Sequence, residues 1–408
     1  MVEVIDLVER QHRMRIVDGM RGFSLLGILM ANMLIFQYGI WGKDEMQFYS
    51  LSQPDSIAKI LVNILVEGSF MPIFTFLFGF GLIKMKENLE RKGLKPKRYL
   101  SRRFLLLFAI GAVHANFLWE GDILTFYGCM GFFLLLFMNR KAKTLLIWGL
   151  ILLSLSGMLG FAPEDPNHPS TKDSSTRMET YVKETIHIYG TGTYEEIKHH
   201  RNTSDPLGMD GLFILIALLF APLIAAPLFL FGMYAAKKQW FQNPDDERLV
   251  YLKRMLLFLP AGLLLKSLKH LFPGQGWSAA GEMIGASLLS FGYIFAFAAL
   301  YMAAKSSPWL LRFEAVGKLS LTNYLLQTII CTTLFYGYGL GWFGKIGVIA
   351  GCALALAIYA AQLFASRWYL TRFDSGPVER LLRMWTYFSL SGESKRSAAS
   401  KSSPTSAS

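Results

Sequence analysis

Phe104–Met138, FLLLFAIGAVHANFLWEGDILTFYGCMGFFLLLFM, is the stretch whose reading decides the fold. It contains two apolar runs, 104–120 and 122–138, which meet at the turn residues Trp119-Glu120-Gly121-Asp122. Each run approaches the length of about 20 residues that a helix needs to cross a hydrocarbon core. In that core every backbone N–H and C=O must find an internal partner, which a helix provides. The stretch therefore reads as two membrane helices meeting in a sharp turn. The first carries a histidine in Ala112-Val113-His114-Ala115-Asn116. An ionisable group inside a span is costly and usually faces a protein interior or a watery cavity, so His114 is the leading functional candidate.

The same pattern extends along the chain. Of the 408 residues 53% are hydrophobic and only 17% charged, against about 25% charged in ordinary soluble domains. Ten apolar runs stand out, at roughly 22–40, 57–83, 104–120, 122–138, 144–161, 211–236, 255–271, 279–304, 319–340 and 346–366. The expected fold is all-α, a polytopic membrane domain over 1–388 with about ten transmembrane helices. The second run is interrupted by Gly68-Ser69-Phe70-Met71-Pro72, which predicts a kinked or broken helix.

Charge sets the expected orientation. With the N-terminus in the cytoplasm, 31 of the 41 Lys and Arg residues fall in cytoplasmic segments, nine of them in 84–103. That is the asymmetry of the positive-inside rule, and it places both termini on the cytoplasmic side of the membrane. The net charge of +12 thus belongs to membrane topology and anionic lipid rather than nucleic acid. Segment 162–210 becomes an extracytoplasmic cap with helical stretches at Met178–His187 and Tyr194–His200. Segment 376–388 reads as an interfacial helix with Val378, Leu381, Leu382 and Trp385 on one face. The Ser- and Ala-rich 389–408 reads as a disordered cytoplasmic tail. Cys129, Cys331 and Cys352 all lie in apolar runs without metal spacing, so neither a disulfide framework nor a metal site is expected. Gly337-Tyr338-Gly339-Leu340-Gly341 lacks the strand and helix of a nucleotide loop and reads as a tight turn or close helix packing.

Counting depth at 1.5 Å per residue puts Asn32, Glu67 and His114 near one level of the membrane. A carboxylate from Glu67 or Asp122 beside the imidazole would orient it as a general base; the competing reading is a hydrogen-bonded cluster that packs helices. At the cytoplasmic mouth, Asp18 could cap the first helix, and Arg21 could pair with it or bind a phosphate. Arg102 and Arg103, below His114, could hold a polyanion such as the phosphates of coenzyme A.

Five stretches, Val17–Asn32, Glu67–Gly81, Arg103–Gly131, Gly317–Gly344 and Gly376–Tyr387, together resemble the YeiB-like family of bacterial multi-pass membrane proteins, including its C-terminal domain of unknown function. The first span, with Arg21-Gly22 at the mouth and Asn32 beyond it, is also similar to transmembrane acyltransferases of the heparan-α-glucosaminide N-acetyltransferase and acyltransferase type 3 kind. That second resemblance implies transfer of an acyl group from cytosolic acyl-CoA, as co-substrate, to a sugar or other small-molecule acceptor outside. Residues Tyr38–Asp44 hold no histidine where those enzymes carry one, so His114 would have to supply the base, Asn32 would polarise the thioester carbonyl, and Arg21, Arg102 and Arg103 would bind the phosphates. The alternatives are a secondary transporter using the carboxylate and histidine beside the broken helix, and a structural membrane protein.

Overall fold

The computed structural model describes residues 2–161, 169–208, 211–242, 244, 246–304 and 307–392. Among them regular structure is helical throughout: α1 Val2–Tyr38, α2 Gln53–Leu65, α3 Met71–Arg91, α4 Pro96–Phe117, α5 Leu124–Leu134, α6 Ala142–Leu159, α7 Pro169–Thr191, α8 Tyr194–Thr203, α9 Gly211–Lys237, α10 Arg248–Leu271, α11 Gly276–Ala303, α12 Pro308–Lys318, α13 Ser320–Phe335, α14 Val348–Tyr369 and α15 Pro377–Tyr387. Four stretches, Arg15–Tyr38, Phe220–Lys237, Gly276–Ala303 and Val348–Tyr369, are long and apolar enough to cross a membrane unaided. The other apolar runs are shorter, broken, or begin with basic residues.

The second run breaks where its glycine and proline lie. α2 ends at Leu65, Gly68 takes a φ of +70°, and Pro72 opens α3. Such a break frees backbone carbonyls that hydrocarbon cannot satisfy. Here Lys266 of α10 donates to the Glu67 carbonyl and, at 3.1 Å, to the Ser69 hydroxyl, while Tyr293 of α11 donates to the Leu65 carbonyl at 2.7 Å.

The run expected at 319–340 is also divided. α12 starts at a Ser307 cap and stops at Lys318, and α13 restarts at Ser320. The new N-terminus is capped from α15: Glu379 accepts the Leu321 N–H at 2.8 Å, the Thr322 N–H at 3.0 Å and the Thr322 hydroxyl at 2.5 Å. A carboxylate there satisfies orphan donors and opposes the helix dipole. α15 is the expected amphipathic helix, with Leu382 buried and Leu381, Trp385 and Phe388 exposed on its outer side. Asp18 does not cap α1, because the helix begins far upstream at Val2. It pairs instead with Arg21, one turn on, at 2.9 Å.

α7 and α8 contain the two helical stretches expected in the cap and lie over the end of α4. Arg201 donates to the carbonyls of Asn116 at 2.6 Å and Leu118 at 3.1 Å, and Tyr194 donates to that of Phe117 at 2.8 Å. These are the carbonyls a helix end leaves without partners. Gly339 packs so tightly on α13 that a Cβ would fall 1.8 Å from the Thr333 oxygen, consistent with the close packing read from the glycine run. The expected tail falls almost wholly in 393–408, outside the described residues.

Candidate functional site

The site grows from the turn between α4 and α5. Those helices approach closely because Gly111 presents no side chain: a Cβ there would lie 2.1 Å from the Thr125 nitrogen. The Leu118 and Trp119 N–H groups both return to the His114 carbonyl, at 2.9 and 3.0 Å. Trp119 is fully buried and stacks on Phe36 of α1, with ring centroids 4.2 Å apart. The chain then passes across the indole face, where a Cβ at Gly121 would strike the ring at 2.3 Å. Asp122 thus emerges beside the helix it has just left.

Both Asp122 oxygens are engaged. Oδ2 accepts the Thr125 N–H at 2.8 Å in the first turn of α5, and Oδ1 faces His114 Nδ1 at 2.9 Å. The two side chains are each 2% exposed. An ionised carboxylate can only accept, so Nδ1 carries the proton and Nε2 is left as an acceptor. Nε2 stands 3.1 Å from Thr328 Oγ1 on α13. Tyr324, one turn below Thr328, brings its ring to 5.6 Å from the imidazole. Asp122, His114 and Thr328 therefore form one hydrogen-bonded chain that links the α4–α5 turn, α4 and α13.

A cavity of about 1200 Å³ approaches this chain from the end of the bundle that carries the basic segment 84–103. Its rim holds Arg21, Lys84, Arg91, Lys92, Lys318 and Arg383, with Arg103 also lining it, against the acids Asp18, Glu87, Asp374 and Glu379. Farther in, the wall turns apolar and aromatic, with Leu25, Ile28, Phe74, Phe78, Leu107 and Tyr127. It reaches Ile123 and Tyr324 and stops one side chain short of His114.

The sequence-derived site residues divide. His114 and Asp122 come together; Arg21 and Arg103 line one cavity. Arg102 does not join them, because adjacent helical residues point about 100° apart. Its guanidinium lies 3.9 Å from the centroid of Phe388, and its carbonyl accepts from the Trp385 indole at 2.9 Å, so it anchors α15. Glu67 does not meet His114: its carboxylate pairs with Lys43, in the turn that follows α1, at 2.5 Å. The depth argument fixed height along the axis and left direction open. Asn32 is half-buried on α1, and among the described residues no hydrogen bond joins it to His114. Thr328 and Tyr324 went unread, although Tyr324, Thr328 and Thr332 recur at four-residue spacing beside Asn323 and Gln327 and mark a polar face of α13. No group of three or more His, Cys, Asp or Glu able to hold a metal is found among the described residues.

The helical bundle and its apolar spans define an integral membrane protein. Residues 235–389 match the family model "Protein of unknown function (DUF418)". The chain is 33% identical over 386 residues to the uncharacterised protein YxaH of Bacillus subtilis (strain 168), covering 92% of this chain and 95% of that one. It is 28% identical over 390 residues to the uncharacterised protein YeiB of Escherichia coli (strain K12), covering 91% and 95%. The chain belongs to this YeiB-like family of membrane proteins, the family its sequence motifs resemble.

Proposed function

We propose that this chain is an acyltransferase of the bacterial plasma membrane, both termini cytoplasmic, moving an acyl group from cytosolic acyl-CoA to an extracytoplasmic acceptor such as a sugar. The observation that carries the reading is the cavity: a basic rim for phosphates, an apolar shaft, and an imidazole beyond its inner end. Arg103 lies eleven residues before His114 on α4, about 16 Å at helical rise, a distance an extended pantetheine arm can cover. Arg21, Arg103 and the rim lysines would hold the phosphates. His114, oriented by Asp122, would serve as general base. Asn32 follows Leu25 and Ile28 of the cavity wall on the same α1 face and would polarise the thioester carbonyl. Tyr324, between shaft and imidazole, must move aside for contact.

The test is release of free thiol from acetyl-CoA or a longer acyl-CoA by protein reconstituted in liposomes, with sugars on the opposite side. Thiol release that grows with an acceptor across the membrane supports transfer; absence of both binding and release removes the reading. A secondary transporter is favoured by one observation, the break between α2 and α3 with Lys266 at it. It would instead give solute accumulation driven by a proton gradient, with no acyl-CoA consumption.

A further inference from the structure

We infer that Thr328 is the nucleophile that accepts the acyl group and carries it as an ester between donor and acceptor; the inference rests on the acyltransferase reading above. Three observations point to it. Thr328 Oγ1 lies 3.1 Å from His114 Nε2, the only ring nitrogen left to act as acceptor once Nδ1 donates to Asp122 at 2.9 Å. The hydroxyl's other contact, the Tyr324 carbonyl of its own helix, is at 3.5 Å and weak, so its proton is best directed at the imidazole. Hydroxyl, imidazole and carboxylate in this order are the arrangement by which a base activates an alcohol, recognised by geometry and not by chain position.

The placement also answers a problem of access. The cavity ends at Tyr324 and Ile123, and Thr328 sits one helical turn beyond Tyr324, buried to 1% exposure. A base alone would need donor and acceptor beside it at the same moment, from opposite faces. A carrier hydroxyl lets them come in succession. In the first half-reaction the Thr328 proton passes to His114 Nε2, Oγ1 bonds to the thioester carbonyl carbon, the C–S bond breaks, and the departing sulfur takes the proton from the imidazolium. In the second, His114 accepts the proton of the acceptor hydroxyl or amine, the acceptor bonds to the acyl carbon, the ester C–O bond breaks, and Thr328 Oγ1 recovers a proton from the imidazolium. The Ile123 N–H, held only at 3.4 Å by the Tyr324 hydroxyl, becomes available to the carbonyl oxygen when Tyr324 swings away.

The experiment incubates the purified full chain with acetyl-CoA without an acceptor, quenches in acid, and reads intact mass and the modified peptide. The expected result is one acetyl group on the peptide containing Thr328, stable to neutral hydroxylamine. It should move to serine in Thr328→Ser and vanish in Thr328→Val, with thiol release falling about 10²-fold or more. A hydroxylamine-labile adduct, the mark of acyl-cysteine at Cys331 or acyl-imidazole at His114, overturns the assignment. So does Thr328→Val that binds acetyl-CoA and releases thiol at near wild-type rate: transfer would then be direct, and the acyltransferase reading would stand without the carrier. Wild-type protein that binds acetyl-CoA but yields neither adduct nor thiol also overturns it. Failure to bind any acyl-CoA removes the underlying reading and the carrier together.

Discussion

The Asp122–His114–Thr328 chain and the Glu67–Lys266 cluster are both polar intrusions into an apolar bundle, yet they are built for different ends. In the first, both Asp122 oxygens hold partners and fix the imidazole, whose Nε2 is turned to the Thr328 hydroxyl, and the cavity ends one side chain away. In the second, every strong donor is already committed. Lys266 is 2% exposed and donates to a carbonyl and a hydroxyl that the helix break left open, while Lys43 neutralises the Glu67 carboxylate. Rise along the helices predicted a shared level for Glu67 and His114; the direction of each side chain and its partners separate the two. An intramembrane charge is a functional candidate by default, but one fully consumed by backbone repair has a sufficient structural reason to exist.

Substitution should divide the clusters. His114→Gln keeps a polar side chain but no useful base, so thiol release should fall about 10²–10⁴-fold. Its melting temperature should stay close to wild type, because an interhelical membrane hydrogen bond averages only about 0.6 kcal/mol. A folded variant above about a tenth of wild-type rate would remove His114 as base. Lys266→Met should do the reverse. It leaves the Glu67 carbonyl and Ser69 hydroxyl unpaired in the interior, costing about 1–3 kcal/mol, while the rate per folded molecule stays near wild type. Loss of activity without loss of stability would place Lys266 in the chemistry.

A smaller effect is expected at the cavity. Arg103→Gln should raise KM for acyl-CoA about tenfold with kcat little changed, the loss of roughly one charge-assisted contact of about 1.5 kcal/mol. An unchanged KM would mean that the phosphates lie elsewhere. The smallest effect concerns the cap. His200 bonds Thr185 at 2.8 Å and Ser204 at 3.0 Å and stacks on Tyr181, and burial holds its pKa below the ordinary 6.5. The folded cap thus favours neutral imidazole. Its contribution is complete above the unfolded pKa of about 6.5 and declines as pH falls below it. Amide exchange in α7 and α8 should accelerate at pH 5.5 relative to pH 7.5 beyond its intrinsic pH dependence, and His200→Gln should flatten the difference. Equal protection at both values would contradict this.

Much of the fold was legible because hydrocarbon constrains sequence so strongly. The α4–α5 turn, the broken second run, the helices α7 and α8 and the amphipathic α15 were each marked by local chemistry: an apolar run, a Gly and a Pro, a helical stretch, an amphipathic face. Half of the site was legible for the same reason, since His114 and Asp122 lie eight residues apart across one turn. The remainder depended on azimuth and on partners distant in sequence. Lys266 reaches Glu67 from α10, and Thr328 reaches His114 across more than two hundred residues. Neither the rise per residue nor the order of spans gives those directions. Arg102 and Arg103 make the same point at closest range: neighbours in sequence, they diverge into an anchor for α15 and a wall of the cavity.

The most direct test of the central claim is a structure with a non-cleavable thioether analogue of acyl-CoA. The account predicts phosphates against Arg21 and Arg103, the Tyr324 ring displaced, and the thioether group against Thr328 Oγ1 with its sulfur within reach of His114 Nε2. An analogue that binds with its sulfur remote from His114, or with Tyr324 still closing the shaft, would contradict it.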